Sequence, residues 1–214
     1  GVIIPPKNYF ETIQPILDKY EIPLIDDEVI CGFGRTGNVW GAETFNMKPV
    51  SITVAKALSS SYLPISAVII SDDCYDIVAK KSDELGIFGH GYTYSGHPVA
   101  CAAGIAALDV YEEEGLFDRA KEMEPHFQEA IHSLKGLNQV IDIRNIGLMG
   151  AIHFGTDGLP ATEFAAKVFQ HCYDNNVLVR YSGEFLVLSP SLIVEKEHLD
   201  TIADALKAAI TSVS

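Results

Sequence analysis

Residues 51–70, SITVAKALSSSYLPISAVII, are the stretch on which the fold prediction for this chain depends. The apolar runs at residues 51–55 and 66–70 have the length and the β-branched composition of buried strands. A single lysine, Lys56, stands between them at the end of the first run. An amine at the end of a buried strand is costly to desolvate, so its presence there suggests a function. Taken alone, Lys56 fits either a nucleophile with a lowered pKa or an ordinary solvated lysine.

A matching strand end lies upstream, where the apolar run IPLI at residues 22–25 leads into Asp26, Asp27 and Glu28. In open α/β sheets, ligands bind beyond the carboxyl ends of the strands. Asp27 and Lys56, 29 residues apart, both stand at such ends. One carboxylate and one lysine facing a ligand is what pyridoxal phosphate (PLP) chemistry needs, because the acid protonates the ring nitrogen and the lysine binds the cofactor. The spacing leaves open which aspartate acts, and a solvated turn or helix cap is the alternative.

Composition narrows the class of protein. The chain has 214 residues, of which 48% are hydrophobic, and a net charge of −14. Nucleic acids and anionic membranes need basic surfaces, so neither is an expected partner. No apolar run approaches the ~20 residues that a membrane-spanning helix requires.

The cysteines and histidines predict neither a metal site nor disulfides. The four cysteines are widely spaced, without a CxxC pair, and the seven histidines show no HxxxH or HExxH spacing. A reducing, cytoplasmic location is therefore expected.

The pattern along the chain predicts an α/β part followed by a small α+β domain. Helices are expected at residues 8–20, 71–80, 98–114, 116–134, 161–174 and 195–210. Further strands are expected at residues 138–145, 148–154, 177–180 and 185–188. The expected boundary separates residues 1–115, with a mostly parallel sheet, from residues 116–214, a linking helix and the small domain.

The loop GFGRTG at residues 32–37 matches the dinucleotide fingerprint GxGxxG through Gly32, Gly34 and Gly37. That fingerprint also needs a helix opening at the third glycine and an acid ~20 residues later. The sequence instead continues with NVWG and has no acid near position 57. Dinucleotide binding is therefore the third candidate function.

Two further stretches could bind anions. Thr93 lies in YTYSGHP, residues 92–98, which leads into an Ala-rich helix whose N-terminus would suit a phosphate. The alternative is an ordinary helix entrance capped by Ser95. Arg180 ends the run VLVR, and its guanidinium could bind a carboxylate, although it could also be a surface arginine.

Four blocks of the chain together resemble a known family. They are IDDEVICGFGRTG (residues 25–37), TVAKALSSSYLPISAVI (53–69), GYTYSGHPVACAA (91–103) and VLVRYSGEFLVLSPSLIV (177–194). In this order they resemble class III aminotransferases, PLP-dependent enzymes of fold type I, and most closely the ω-amino acid:pyruvate branch. The resemblance implies transfer of an amino group from an amine or ω-amino acid to pyruvate or a similar 2-oxo acid. It also implies a homodimer whose subunits share the active site.

The resemblance assigns a role to each candidate residue. It implies that Asp27, rather than Asp26, pairs with the pyridine nitrogen and that Val29 packs against one face of the ring. The other implied roles are the Schiff-base lysine for Lys56, a contact with the cofactor phosphate of the neighbouring subunit for Thr93, and substrate carboxylate binding for Arg180.

The chain departs from the family pattern in two ways. Asp26, Ser61 and Ser191 replace a small residue, a glycine and a proline, respectively. In the family, the N-terminal half supplies the phosphate-binding loop and the aromatic side chain that stacks on the other face of the cofactor ring. No counterpart of that half is found here, so the chain is expected to be a C-terminal half. A non-catalytic fragment or interaction module is therefore the second candidate function.

Overall fold

The computed structural model describes residues 1–155 and 158–213, and these form two compact units. The N-terminal unit contains residues 6–34 and 38–116. The C-terminal unit contains residues 1–5, the loop tip at residues 35–37, and the chain from Phe117 onwards. The expected division into residues 1–115 and 116–214 stays a prediction about domains.

The N-terminal unit combines a three-stranded sheet with helices. Its elements are α1 (Tyr9–Lys19), β1 (Ile25–Asp27), α2 (Gly41–Thr44), β2 (Ser51–Val54), a 3₁₀ turn (Lys56–Ser59), β3 (Ala67–Ile70), α3 (Asp72–Leu85) and α4 (Pro98–Glu113). The strand order is β1-β2-β3, with β1 parallel and β3 antiparallel to β2. The expected mostly parallel sheet therefore has one parallel and one antiparallel pair among the described strands, because the connection from β2 to β3 holds no crossover helix.

The first strand lies later than its pattern indicates. It was expected at residues 22–25, but β1 is Ile25–Asp27 and thus contains both aspartates. Pro23 has no N–H group with which to extend the ladder. The backbone of Glu28 continues the pairing, since its N–H donates to the carbonyl of Thr53 at 2.9 Å.

The C-terminal unit is built on an antiparallel sheet of order β4-β5-β7-β6. Its elements are α5 (Leu116–His132), β4 (Val140–Ile146), β5 (Met149–Phe154), α6 (Ala161–Asp174), β6 (Arg180–Ser182), β7 (Phe185–Leu188) and α7 (Lys196–Val213). The strand expected at residues 177–180 lies instead at Arg180–Ser182. Its register follows from the two-residue turn at Gly183 and Glu184, which places Ser182 opposite Phe185.

Candidate functional site

Asp27 and Lys56 lie at the same edge of the N-terminal sheet. Asp27 ends β1 opposite Thr53 of β2, and Lys56 follows Thr53 by three residues. The two strands are parallel neighbours, and such strands lie roughly 4.8 Å apart. The structure therefore places side by side the ends of the two strands that carry Asp27 and lead into Lys56.

The Asp27 carboxylate is exposed and oriented by the chain that follows it. Its Oδ1 accepts a hydrogen bond from the backbone N–H of Val29 at 3.0 Å. The half-buried Val29 is thereby fixed beside the acid. This short turn leaves the carboxylate available to a cationic group beyond the strand end.

Lys56 stands on a strained turn. Its φ is 40°, in the left-handed region that non-glycine residues seldom adopt, and Ser60 and Ser61 follow with φ of 48° and 64°. Such strain persists only where surrounding structure enforces it, and it is concentrated at functional sites. The Lys56 side chain itself is exposed.

Helix α4 holds this turn in place. The hydroxyl of Tyr111 donates to the carbonyl of Ala57 at 2.7 Å. A Cβ on Gly104 would lie 3.4 Å from the carbonyl oxygen of Leu58, so the missing side chain permits close packing. The small residues of α4 thus support the backbone that presents Lys56.

Two further carboxyl groups lie beside Asp27. Sequence reasoning treated Asp26 as the alternative acid and as a departure from the family pattern, and Glu28 only as part of the acidic run. Glu28 is 1% exposed, and its Oε1 accepts the N–H of Ala42 at 2.8 Å. Among the described residues, Glu28 Oε2 and Asp26 Oδ2 are buried without a hydrogen-bond partner. The pKa of Asp26 is raised to about 7. The largest cause is burial, followed by hydrogen bonding to Glu28, the charge of Glu28 and the charge of Asp27.

Thr93 lies in an exposed stretch before α4. No hydrogen bond among the described residues joins it to Asp27 or Lys56. Ser95 does not cap the helix: the residue at the N-cap position is His97, and the Ser95 hydroxyl accepts the N–H of Tyr92 at 3.0 Å. The helix entrance is therefore organised by a separate turn that contains Thr93.

Arg180 belongs to the C-terminal unit, where it opens β6 opposite Val187. It is exposed and has no ion-pair partner among the described residues. It lines a cavity of about 470 Å³ whose other walls are mostly apolar, among them Phe127, Phe169, Leu178, Tyr181, Pro190 and Ile202. An unpaired guanidinium at an apolar wall can bind a carboxylate.

The loop GFGRTG serves the packing of the chain itself. The helix that follows is only four residues long and begins at Gly41, so no helix N-terminus lies at Gly37. Dinucleotide binding through Gly32, Gly34 and Gly37 therefore lacks the structure that it requires.

Arg35 is the residue of this loop that sequence reasoning missed. Its Nη1 donates to the carbonyls of Leu148 at 2.9 Å and Pro190 at 2.5 Å, and its own carbonyl accepts the N–H of Leu148 at 3.1 Å. Gly147 has a φ of 51°, and a Cβ there would lie 2.4 Å from the Arg35 oxygen. The signal was an arginine in a glycine loop opposite a second glycine far along the chain.

The comparison with protein families decides the assignment. The family described as Aminotransferase class-III matches residues 1–210. The chain belongs to the class-III aminotransferase family. This membership confirms the resemblance that the four sequence blocks carried.

Individual members of the family agree with this result. The chain is 43% identical over 213 residues to an omega-aminotransferase of Caulobacter vibrioides, covering 100% of this chain and 48% of the relative. It is 42% identical over 218 residues to gamma-aminobutyrate transaminase 1, mitochondrial, of Oryza sativa subsp. indica, covering 97% and 42%, respectively. The chain thus spans about half the length of the curated relatives it matches.

Solved transaminase structures share the fold. One described as a transaminase with L-ala has a TM-score of 0.96 at 39% identity and covers 100% of this chain and 52% of its own. The PMP-bound form of an aminotransferase from Vibrio fluvialis has a TM-score of 0.94 at 36% identity, with coverage of 100% and 48%. The mixed α/β fold is that of these class-III transaminases, PLP-dependent fold type I.

Two other kinds of feature are absent from residues 1–155 and 158–213. No group of three or more potential metal ligands clusters there. Nor does that part of the chain contain a helix long and apolar enough to cross a membrane.

Proposed function

We propose that this chain is the working C-terminal half of a PLP-dependent aminotransferase. The enzyme moves an amino group from a primary amine or ω-amino acid to pyruvate or a similar 2-oxo acid. The observation that carries the proposal is the pair at the carboxyl ends of β1 and β2, an oriented carboxylate on Asp27 and an exposed amine on Lys56. Family membership supports it.

The residues at the strand ends fit the cofactor. The Asp27 carboxylate, fixed by the Val29 N–H group, suits a protonated ring nitrogen, and the Val29 side chain suits an apolar ring face. The primary amine of Lys56 suits an aldehyde carbon. When bound, PLP supplies an electron sink that stabilises negative charge on the substrate carbon.

Each of these residues has a separate task in the proposed reaction. Asp27 keeps the ring nitrogen protonated through its carboxylate. Lys56 would hold the cofactor through its primary amine, and its Nζ would accept a proton from the substrate carbon. Arg180 binds the carboxylate of the acceptor acid.

Thr93 belongs to the proposed subunit contact. The stretch around it is exposed and presents aromatic side chains, with Tyr92 and Tyr94 both 79% exposed. A second copy of the chain would cover these side chains, and the Thr93 hydroxyl would reach the cofactor phosphate of that copy. The proposal thus includes a homodimer with shared sites.

The proposed location of the protein is the cytoplasm, which the four free cysteines support, although the rice relatives are named as mitochondrial.

Borohydride trapping tests the role of Lys56. We expect PLP added to the 214-residue chain to become reducibly attached at Lys56, as identified by peptide mass spectrometry. Lys56→Ala should abolish this label, whereas Lys48→Ala, which removes another exposed lysine of the same unit, should retain it. Equal labelling of several lysines would contradict the assignment.

Catalysis and assembly need their own measurements. Alanine formation from pyruvate and an amine distinguishes transamination from decarboxylation or racemisation. Light scattering should detect dimers, and Thr93→Ala should weaken PLP binding while leaving the dimer intact. A monomer with full PLP affinity would contradict the shared site.

The second candidate is a non-catalytic fragment or interaction module. The observation that favours it is β3, whose four residues are all exposed despite the sequence AVII. Self-association of the chain without any PLP binding would support this candidate.

A further inference from the structure

We propose that Asp26 and Glu28 share one proton beneath the strand end and that this carboxyl pair positions the acid at Asp27. The function of Asp27 in this statement rests on the proposed PLP site. The proton itself is inferred from the place of the two carboxyl groups on one face of β1, from their burial and from the raised pKa of Asp26.

The two carboxyl groups share one face of the strand. Side chains alternate across a strand, so Asp26 and Glu28 point to one side and Asp27 to the other. The exposures agree: Asp27 is exposed, Asp26 is partly buried and Glu28 is buried. The pair therefore lies behind the surface on which Asp27 would meet a ligand.

The oxygens on the buried side lack donors. Ionised carboxylates only accept hydrogen bonds, and a buried acceptor without a donor is unfavourable. Asp26 Oδ2 and Glu28 Oε2 are both buried without a partner among the described residues, while the two side chains lie within hydrogen-bonding reach of each other. One proton between them satisfies both oxygens.

The proton belongs to Asp26. Glu28 already accepts the Ala42 N–H at 2.8 Å through Oε1, whereas no donor reaches Asp26 Oδ2 among the described residues. The charged groups that act on Asp26 are Glu28 and Asp27, both acidic, and together with burial they raise its pKa to about 7. Asp26 is thus a neutral donor in acid solution and becomes a second anion as the solution turns alkaline.

This change reaches Asp27 by two routes. Ionised Asp26 adds a negative charge one residue from Asp27, and it no longer donates to Glu28. Glu28 in turn holds Ala42 at the far end of the loop that starts with Val29. Asp26 is therefore a positioning residue that acts through its neighbours.

Infrared difference spectroscopy of the 214-residue chain tests the proton directly. Native protein should lose a protonated carboxylic acid band as the pH rises through about 7. Asp26→Asn and Asp26→Ala should lack that band, and Asp76→Asn, which changes an exposed acid on α3, should retain it. A band that persists in Asp26→Asn overturns the assignment.

PLP titration tests the positioning role. Relative to Asp26→Asn, native protein should show a several-fold change in PLP affinity between the acid and the alkaline side of pH 7, because the charge and the hydrogen bonding next to Asp27 both change there. The same pH dependence in both proteins overturns the positioning role. If neither protein binds PLP, the proposed function fails, while the infrared result still decides whether the carboxyl pair holds a proton.

Discussion

The two units of the molecule differ in how completely they bury their apolar side chains. In the C-terminal unit, β7 alternates buried and half-buried residues, β5 has four buried residues of six, and Phe154, Phe164 and Leu186 are at most 1% exposed. In the N-terminal unit, Val68 of β3 is 66% exposed and Ile77 of α3 is 68% exposed. Apart from Glu28, the largest fully buried side chains all come from the C-terminal unit or the α5 helix that opens it.

The difference follows from how far helices of the same unit cover each sheet: α6 packs on β5, β6 and β7, whereas no helix packs comparably on β1, β2 or β3 among the described residues. An antiparallel sheet connected by hairpins can close a core with a few helices of its own. A sheet with parallel strands normally needs both faces covered, and contiguous apolar surface of this kind marks an interaction site. The difference indicates that the C-terminal unit carries its own stability, whereas the N-terminal sheet needs further surface to cover it.

Truncation of a core side chain has the largest expected effect and tests whether the two units differ in packing. Phe164→Ala should destabilise the C-terminal unit by about 3–5 kcal/mol, because the ring is fully buried. Ile77→Ala, a smaller truncation at an exposed position of α3, should change the free energy of unfolding by less than about 0.5 kcal/mol. Urea unfolding of the 214-residue chain measures both, and equal losses would show that the two units are equally well packed.

Removing the Arg35 side chain should have the next largest effect and tests how the loop tip is held. Arg35→Ala leaves two backbone carbonyls without their donor, which should cost about 2–3 kcal/mol. Arg35→Lys is the matched control, since it keeps the positive charge but lacks the planar guanidinium that reaches both carbonyls. Hydrogen exchange at Leu148 should accelerate in Arg35→Ala, and unchanged exchange would contradict this role.

The stability of the N-terminal unit should depend on pH through Asp26. Asp26 has an ordinary pKa of 3.8 and a folded-state pKa of about 7, so the folded chain binds a proton that the unfolded chain has lost. Stability from this group is complete below pH ~4 and falls as the pH rises to about 7. Asp26→Asn should remove this decline and add on the order of 1 kcal/mol above pH 7, a reduced value because the side chain is only partly buried. If the free energy of unfolding of native protein and of Asp26→Asn changes with pH in the same way, the predicted role of Asp26 is contradicted.

The smallest expected effect lies in the turn after Lys56. Ser61 has a φ of 64°, where glycine is favoured, so Ser61→Gly should stabilise the N-terminal unit by about 0.5–1 kcal/mol. Ser66→Gly, outside the left-handed region, is the control and should not stabilise. Trp40 is the only tryptophan and lies in the N-terminal unit, so its fluorescence can follow the unfolding of that unit.

Local pattern predicted most elements but not all of their ends. The helix at Ala161–Asp174 agrees with its prediction at both ends, because Pro160 and the apolar spacing define it locally. Strand ends depend on a partner, so β1 and β6 lie two to three residues from the expected positions. Lys56 and Asp27 were recognisable as candidates because each follows an apolar run, although their assigned roles remain proposals.

By itself, the sequence determined the α/β class, the family and the candidate residues, since these depend on residue types and their order along the chain. Only the tertiary structure decided that residues 51–70 present Lys56 from a left-handed turn held by α4, that Arg35 binds two distant carbonyls, and that Asp26 lies against Glu28. The physical reason is that hydrogen bonding, burial and electrostatic shifts depend on which groups meet in space, and residues more than a hundred positions apart meet only in the folded chain.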